Sequence, residues 1–192
     1  MTSIAMRRDG HHDTATALLT STALDLGAGS GEPAPGLLAT YGSLLCTAAY
    51  TTAQRGNRHQ AIELITEAET AATRLSGAQA PHSPFSRINV GIYQIGVHTA
   101  LGDAGAALDH ARKIDLRSVP TPERRARFCV DTARAWQRFG NPGKAVQSLQ
   151  AACAPEELRR SSVRTLVASL LETAGPTPAG LRELAARCGA VV

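Results

Sequence analysis

Nonpolar and small residues recur along this chain at spacings of three and four, the period that lines one face of an α-helix. Leu44, Leu45, Ala48, Ala49 and Thr52 precede Gly56, and Ile62, Ile65, Ala68, Ala72 and Leu75 follow it. Ile88, Ile92, Ile95 and Thr99 lead to Gly102, with Ala107, Leu108, Ala111 and Ile114 beyond. Phe128, Val130, Ala133 and Trp136 lead to Gly140, and Ala145, Val146, Leu149 and Ala152 come after. A last pair of helices is predicted from about Pro155 to Ala174 and from Pro178 to Cys188. Pro155-Glu156-Glu157 suits a helix start, with proline in the first turn and acids near the positive end of the dipole. The apolar–polar alternation of a β-strand is absent. The chain is expected to be all-α.

Between the paired segments one short pattern repeats: a glycine, a turn or capping residue, and an alanine five positions after the glycine. It stands at Gly10/Ala15, Gly56/Ala61, Gly102/Ala107 and Gly140/Ala145, with the glycines 46, 46 and 38 residues apart (56−10, 102−56, 140−102). A fainter echo starts at Gly175, with Gly180 in the alanine place. Glycine takes the left-handed conformation that ends a helix without a Cβ penalty. Asn57, Asp103 and Asn141 follow directly and are expected to cap the next helix. The alanine then lets the second helix approach the first. The reading is a single helical-repeat domain over 1–192, of about nine helices. Repeat one is incomplete at about 1–26, repeats follow at about 37–75, 86–115 and 121–153, and a C-terminal capping pair closes the chain at about 155–189. Leu26 to Gly36 and Ser76 to Arg87, rich in glycine, proline and serine, are expected as mobile connections between repeats rather than domain boundaries.

Composition narrows the function. The 192 residues are 43% hydrophobic with a net charge of +4, which excludes a wholly disordered chain. No apolar run approaches the roughly 20 residues of a membrane helix, and no secretory signal opens the chain, so a cytoplasmic protein with no membrane contact is expected. Cys46, Cys129, Cys153 and Cys188 lie far apart, without a CxxC pair, and are expected as buried thiols rather than metal ligands. His11-His12-Asp13 is read as solvated surface, and His98 and His110 as surface or packing residues. Arg124-Arg125 and Arg159-Arg160 with Arg164 are read as solvated helix faces, and Trp136 as core. No GxSxG, Walker loop, HExxH or paired-carboxylate arrangement occurs. No metal, no cofactor and no enzymatic activity are expected.

The repeat resembles a tetratricopeptide-repeat array. Gly56, Ala61 and Ile65 fit its pattern, as do Gly140, Ala145 and Leu149, with Trp136 at the aromatic position of the first helix. Thr52 departs there in repeat two, and Gly91, His98 and Ala111 depart in repeat three. The runs Phe85 to Val90, Leu101 to Leu108, Pro122 to Arg127, Val130 to Ala135, Ala154 to Glu157 and Leu181 to Gly189 are similar to the C-terminal repeat region of actinobacterial helix-turn-helix transcriptional regulators of the phage-repressor type. That resemblance implies a stacked α-α superhelix that senses a ligand or partner, dimerises, and reaches DNA only through a separate N-terminal domain. Repeat one starting mid-unit implies either a shortened piece of such a regulator or a stand-alone relative.

In such an array the first helices line a concave face. Ser43, Cys46, Tyr50 and Gln54 are expected there from repeat two, and Asn89, Ile92, Gly96 and Thr99, with Tyr93 nearby, from repeat three. Repeat four contributes Arg127, Val130, Arg134, Gln137 and Arg138. The candidate ligand- or peptide-binding residues are Asn89, Tyr93, Arg127, Arg134, Tyr50 and Gln137. Asparagine can pin a peptide backbone, and guanidinium groups hold an anion bidentately. Arg127 and Arg134 could equally pair with Asp131 or Glu123 on their own helix, and Asn89 could brace a helix start. The expected function is a non-enzymatic peptide- or small-molecule-binding domain of a transcriptional regulator. The alternative is a stand-alone protein–protein scaffold.

Overall fold

A computed structural model describes residues 34–77, 85–152, 161–173 and 176–190, with single helical positions at 14, 17, 18, 21 and 22. Most of repeat one, the Gly10 turn, Cys153, Pro155-Glu156-Glu157, Arg159-Arg160 and Gly175 lie outside the described residues, as do 26–33 and 78–84 of the two expected connections. The described residues are all-helical: eight α-helices and one 3-10 turn, with no strand, against the nine or so helices expected. They are α1 Pro35–Gln54, α2 Arg58–Gly77, α3 Arg87–Ala100, α4 Ala104–Arg112, α5 Pro122–Arg138, α6 Pro142–Gln150, α7 Ser161–Glu172 and α8 Leu181–Cys188. The chain divides into two compact units, Met1–Leu101 and Gly102–Val192, so the boundary falls inside the expected third repeat.

In the first unit, α1 and α2 pack along each other and α3 packs against both. The turn between α1 and α2 has the expected chemistry. Gly56 stands at φ +78°, and the Asn57 N–H returns to the Thr52 carbonyl at 3.2 Å. Asn57 Oδ1 accepts the Gln60 N–H at 3.3 Å, and Ala61 is fully buried against the partner helix. Both expected connections are shorter than their composition suggests. Proline fixes the φ of a first helical turn, so Pro35 and Gly36 already belong to α1. Ser76 and Gly77 complete α2, Ser86 caps α3 by accepting the Asn89 N–H, and Arg87 opens α3. Phe85 is core, 1% exposed. Its ring lies against Gly42 of α1, where a Cβ would come under 3.0 Å from three ring atoms. The unit's core is built from Leu38, Leu45, Ala49, Ile65, Ala72, Phe85, Val90 and Val97. Two polar ties join helices: Tyr41 O–H to Glu67 Oε1 at 3.2 Å, and Gln94 Nε2 to Glu69 Oε2 at 3.1 Å. Burial, and then the Glu67 carboxylate, push the Tyr41 phenol above its ordinary pKa.

In the second unit, α5 pairs with α6 and α7 with α8, while α4 lies on α5. Gly140 repeats the turn at φ +80°, with the Asn141 N–H on the Trp136 carbonyl at 2.9 Å and Asn141 Oδ1 accepting the Lys144 N–H at 3.0 Å. Gly102 is left-handed too, at φ +87°. Asp103 caps α4 through its backbone carbonyl, its carboxylate making no cap bond, so the expected side-chain cap holds for the two asparagines only. Gly180 is a turn glycine itself, at φ +78° immediately before α8, rather than the counterpart of the buried alanines. The core here is Val130, Ala133, Ala145, Leu149, Val167, Leu170, Leu181 and Leu184.

Candidate functional site

The six residues singled out from the sequence divide evenly: Tyr50, Asn89 and Tyr93 belong to the first unit, and Arg127, Arg134 and Gln137 to the second. Tyr50 on α1 and Tyr93 on α3 are half-buried, each resting on the first unit's core. Asn89 is 6% exposed and sits in the first turn of α3, where its N–H is the one Ser86 caps.

Several residues expected on an open inner wall are core instead. Cys46, Ile92, Thr99 and Val130 are all at least nine-tenths buried, and Gly96 is buried with them. A helix with neighbours on more than one side buries a wider stripe than a single groove-facing row leaves free. Ser43 is half-buried with its hydroxyl turned into its own helix, donating to the Ala39 carbonyl at 2.8 Å. Thr47 and Thr51 continue that row, each donating to the carbonyl four residues back. Gln54 and Arg138 are exposed.

The second unit holds the densest chemistry. Asp131 on α5 is 1% exposed, yet it is a carboxylate. Arg127 Nε donates to its Oδ2 at 2.8 Å, and Arg134 donates from a terminal nitrogen to Oδ1 at 2.9 Å. The spacings are i−4 and i+3, which place all three on one face of the helix. Of the two carboxylates that the sequence left open, Asp131 is the one these bonds engage. The arginine side chains remain 41% and 27% exposed. One turn further, Gln137 Nε2 donates to the Ser169 hydroxyl on α7 at 2.8 Å. Asp131 entered the sequence reading only as a competitor for the arginines, and Ser169 did not enter it. Ser169 lies 32 residues from its partner, and no local period reports such a contact.

Trp136 is half-buried rather than fully core. Lys144 Nζ stands 4.3 Å from its ring centroid, and exposed Phe139 meets it edge-on at 5.9 Å. His98 and His110 are both half-buried. Cys46, Cys129 and Cys188 are buried and outside any disulfide, and burial holds the Cys188 thiol above its ordinary pKa. Among the described residues no three His, Cys, Asp or Glu side chains gather as a metal site, and no helix is long and apolar enough to cross a membrane.

Charge is unevenly divided. Residues 102–192 carry 14 basic and 9 acidic side chains, a net of +5, whereas residues 1–101 carry 6 and 7, a net of −1. The excess positive charge therefore belongs to the unit that contains α5. No protein-family model, no curated protein and no solved structure matches this chain.

Proposed function

We propose that this chain is a non-enzymatic helical-repeat binding domain of a transcriptional regulator, built on tetratricopeptide-like stacked hairpins, which takes a peptide or small molecule on the faces of its first helices. The observation that carries this reading is one of exposure. Tyr50, Tyr93, Arg127, Arg134 and Gln137 keep a partly open side chain on α1, α3 and α5, beside the buried residues through which each helix packs. Half-buried tyrosines, arginines and an amide are the residue types that anchor ligands, because each combines apolar area with a directed polar end. The left-handed turn glycines Gly56 and Gly140, each between two helices that pack together, support the hairpin architecture on which the reading rests. A ligand that binds such a face in one packing of the helices more tightly than in another biases that packing, and with it any attached DNA-binding domain.

The test is a thermal-shift screen of the 192-residue protein against peptide and metabolite libraries. A ligand at about a hundred times its Kd adds about 2.7 kcal/mol, which in a chain of this size raises Tm by about 5–10 °C. Tyr93→Ala and Gln137→Ala should weaken a hit in the unit each belongs to. The single substitution Arg127→Ala is a poor control, since it strips a partner from buried Asp131. Hits indifferent to every one of these faces would place binding elsewhere and overturn the reading.

A further inference from the structure

The residue before each of Gly56, Gly102 and Gly140 closes its helix in the same right-handed backbone conformation: Arg55 after α1, Leu101 after α3 and Phe139 after α5. Arg55 is exposed, and Leu101 is half-buried against the first unit's core. Phe139 is 58% exposed, so the turn does not require a phenyl ring there and the core does not claim it. Exposed apolar side chains standing singly need no explanation, but this one has company. Trp136, one turn back on α5, is half-buried and meets it at 5.9 Å with the ring planes at 85°. Exposed Lys144 on α6 holds its ammonium 4.3 Å from the Trp136 centroid. A cation so placed keeps N–H donors for water or a carboxylate. From Thr132 to Pro155 the sequence contains no acid and three bases, Arg134, Arg138 and Lys144. Arg134 is bonded to Asp131, and exposed Glu172 lies one turn past Ser169 on α7. Exposed Arg138 and Lys144 therefore stand against one open acid.

We propose that the turn between α5 and α6 is a docking surface for an acidic peptide segment of a partner protein. A large apolar side chain of the segment seats against Phe139 and Trp136, and a carboxylate beside it takes the Lys144 ammonium. Arg138 and the +5 balance of this unit favour the same sign of partner. The cation–π contact sets a long, mobile side chain next to apolar surface before the partner arrives, which lowers the entropy lost on binding. Tryptophan is prominent among the side chains that anchor protein interfaces. The rings disfavour nucleic acid, because successive bases stack along one strand and planes at 85° share no stacking direction. Charge disfavours a second copy, because a two-fold pairing would set Arg138 and Lys144 against themselves. This surface is additional to the first-helix faces proposed above, and either can bind without the other.

Trp136 is the chain's single tryptophan, so its emission reads the surface directly. A phage-displayed library of random heptapeptides is selected on the whole native protein and counter-selected on Phe139→Ser. Enriched sequences should carry aspartate or glutamate beside leucine, isoleucine, phenylalanine or methionine. The strongest of them, synthesised without tryptophan, should shift Trp136 emission to the blue saturably. Replacing its acids by their amides, or its apolar residue by serine, should weaken binding by about tenfold or more. Phe139→Ser removes a ring that is more than half exposed, so it should leave Tm nearly unchanged while weakening binding by a similar factor. Lys144→Glu should abolish binding of the acidic peptide and Lys144→Arg should keep it, a dependence on charge that a purely structural role would not produce. No enrichment, enriched sequences that are basic or lack an apolar residue, or undiminished affinity in Phe139→Ser or Lys144→Glu overturns the proposal. A saturable shift by oligo-dT with none by the selected peptide overturns it in favour of nucleic acid. Native emission that changes on dilution, with Phe139→Ser removing the change, overturns it in favour of a second copy.

Discussion

Gly42→Ala puts two physical effects of opposite sign in competition. Gly42 lies inside α1, where alanine is favoured over glycine by about 0.5–1 kcal/mol because less backbone entropy is lost on folding. From propensity alone the variant should be more stable. The tertiary structure reverses the sign, because the new methyl would fall under 3.0 Å from three atoms of the Phe85 ring. Phe85 is 1% exposed and sits among the core residues of α1, α2 and α3, so moving its ring aside disturbs that packing. Overpacking of this kind costs about 1–3 kcal/mol. Subtracting the propensity gain leaves a net loss of up to about 2.5 kcal/mol, or a fall in Tm of up to about 10 °C for a chain of this length. Circular dichroism melts and urea titrations of the whole chain measure it. Phe85→Ala alone should lose about 3–5 kcal/mol through the cavity it leaves. In that background, Gly42→Ala should become neutral or stabilising, since the clash is gone and the propensity gain remains. A double-mutant cycle therefore isolates the contact. If Gly42→Ala stabilises the native protein, or costs as much without the ring as with it, the packing argument is wrong.

Two further perturbations test the backbone and the charges. Gly140→Ala meets no steric obstacle, for nothing lies within 4 Å of the added Cβ, yet φ +80° should cost about 1–2 kcal/mol. Gly105→Ala, equally unobstructed but inside helical α4, should gain about 0.5–1 kcal/mol, and the same melts compare the two. The Arg117 N–H, and then its guanidinium, hold the Asp115 carboxyl below the usual aspartate range. A carboxyl whose pKa is lower folded than unfolded stabilises above its unfolded pKa, and that contribution fades as pH falls through the folded value. Asp115→Asn should therefore be less stable than the native protein near neutrality and approach it below about pH 4, as read from urea midpoints across that range.

The hairpin turns were legible because their cause is local. A left-handed residue next to a helix end needs glycine, and the asparagine after it needs only its own amide to cap. Gly56, Gly102, Gly140, Asn57 and Asn141 all behave as that chemistry requires. The buried alanines were legible for the same reason, since their place five residues after the turn is fixed along the chain. Helix starts were blurred where composition misleads: Pro35, Gly36 and Phe85 sit in stretches that look like linkers, and each is recruited by a helix or by the core.

The candidate site was legible by residue type and not by state. Periodicity put Arg127, Asp131 and Arg134 on one face of α5, so both a free arginine pair and an internal ion pair were open. Burial decided between them, and burial depends on the elements packed against α5. The contacts of Gly42 with Phe85 and of Gln137 with Ser169 join residues 43 and 32 positions apart (85−42, 169−137), and each depends on how whole helices come to rest against one another. From the sequence alone came the period of its helices and the chemistry of its turns, because both act within a few residues. Which polar side chains are enclosed, which stay open and which carboxylate holds the arginines were left to packing, because removal from water is a property of neighbours distant in the chain.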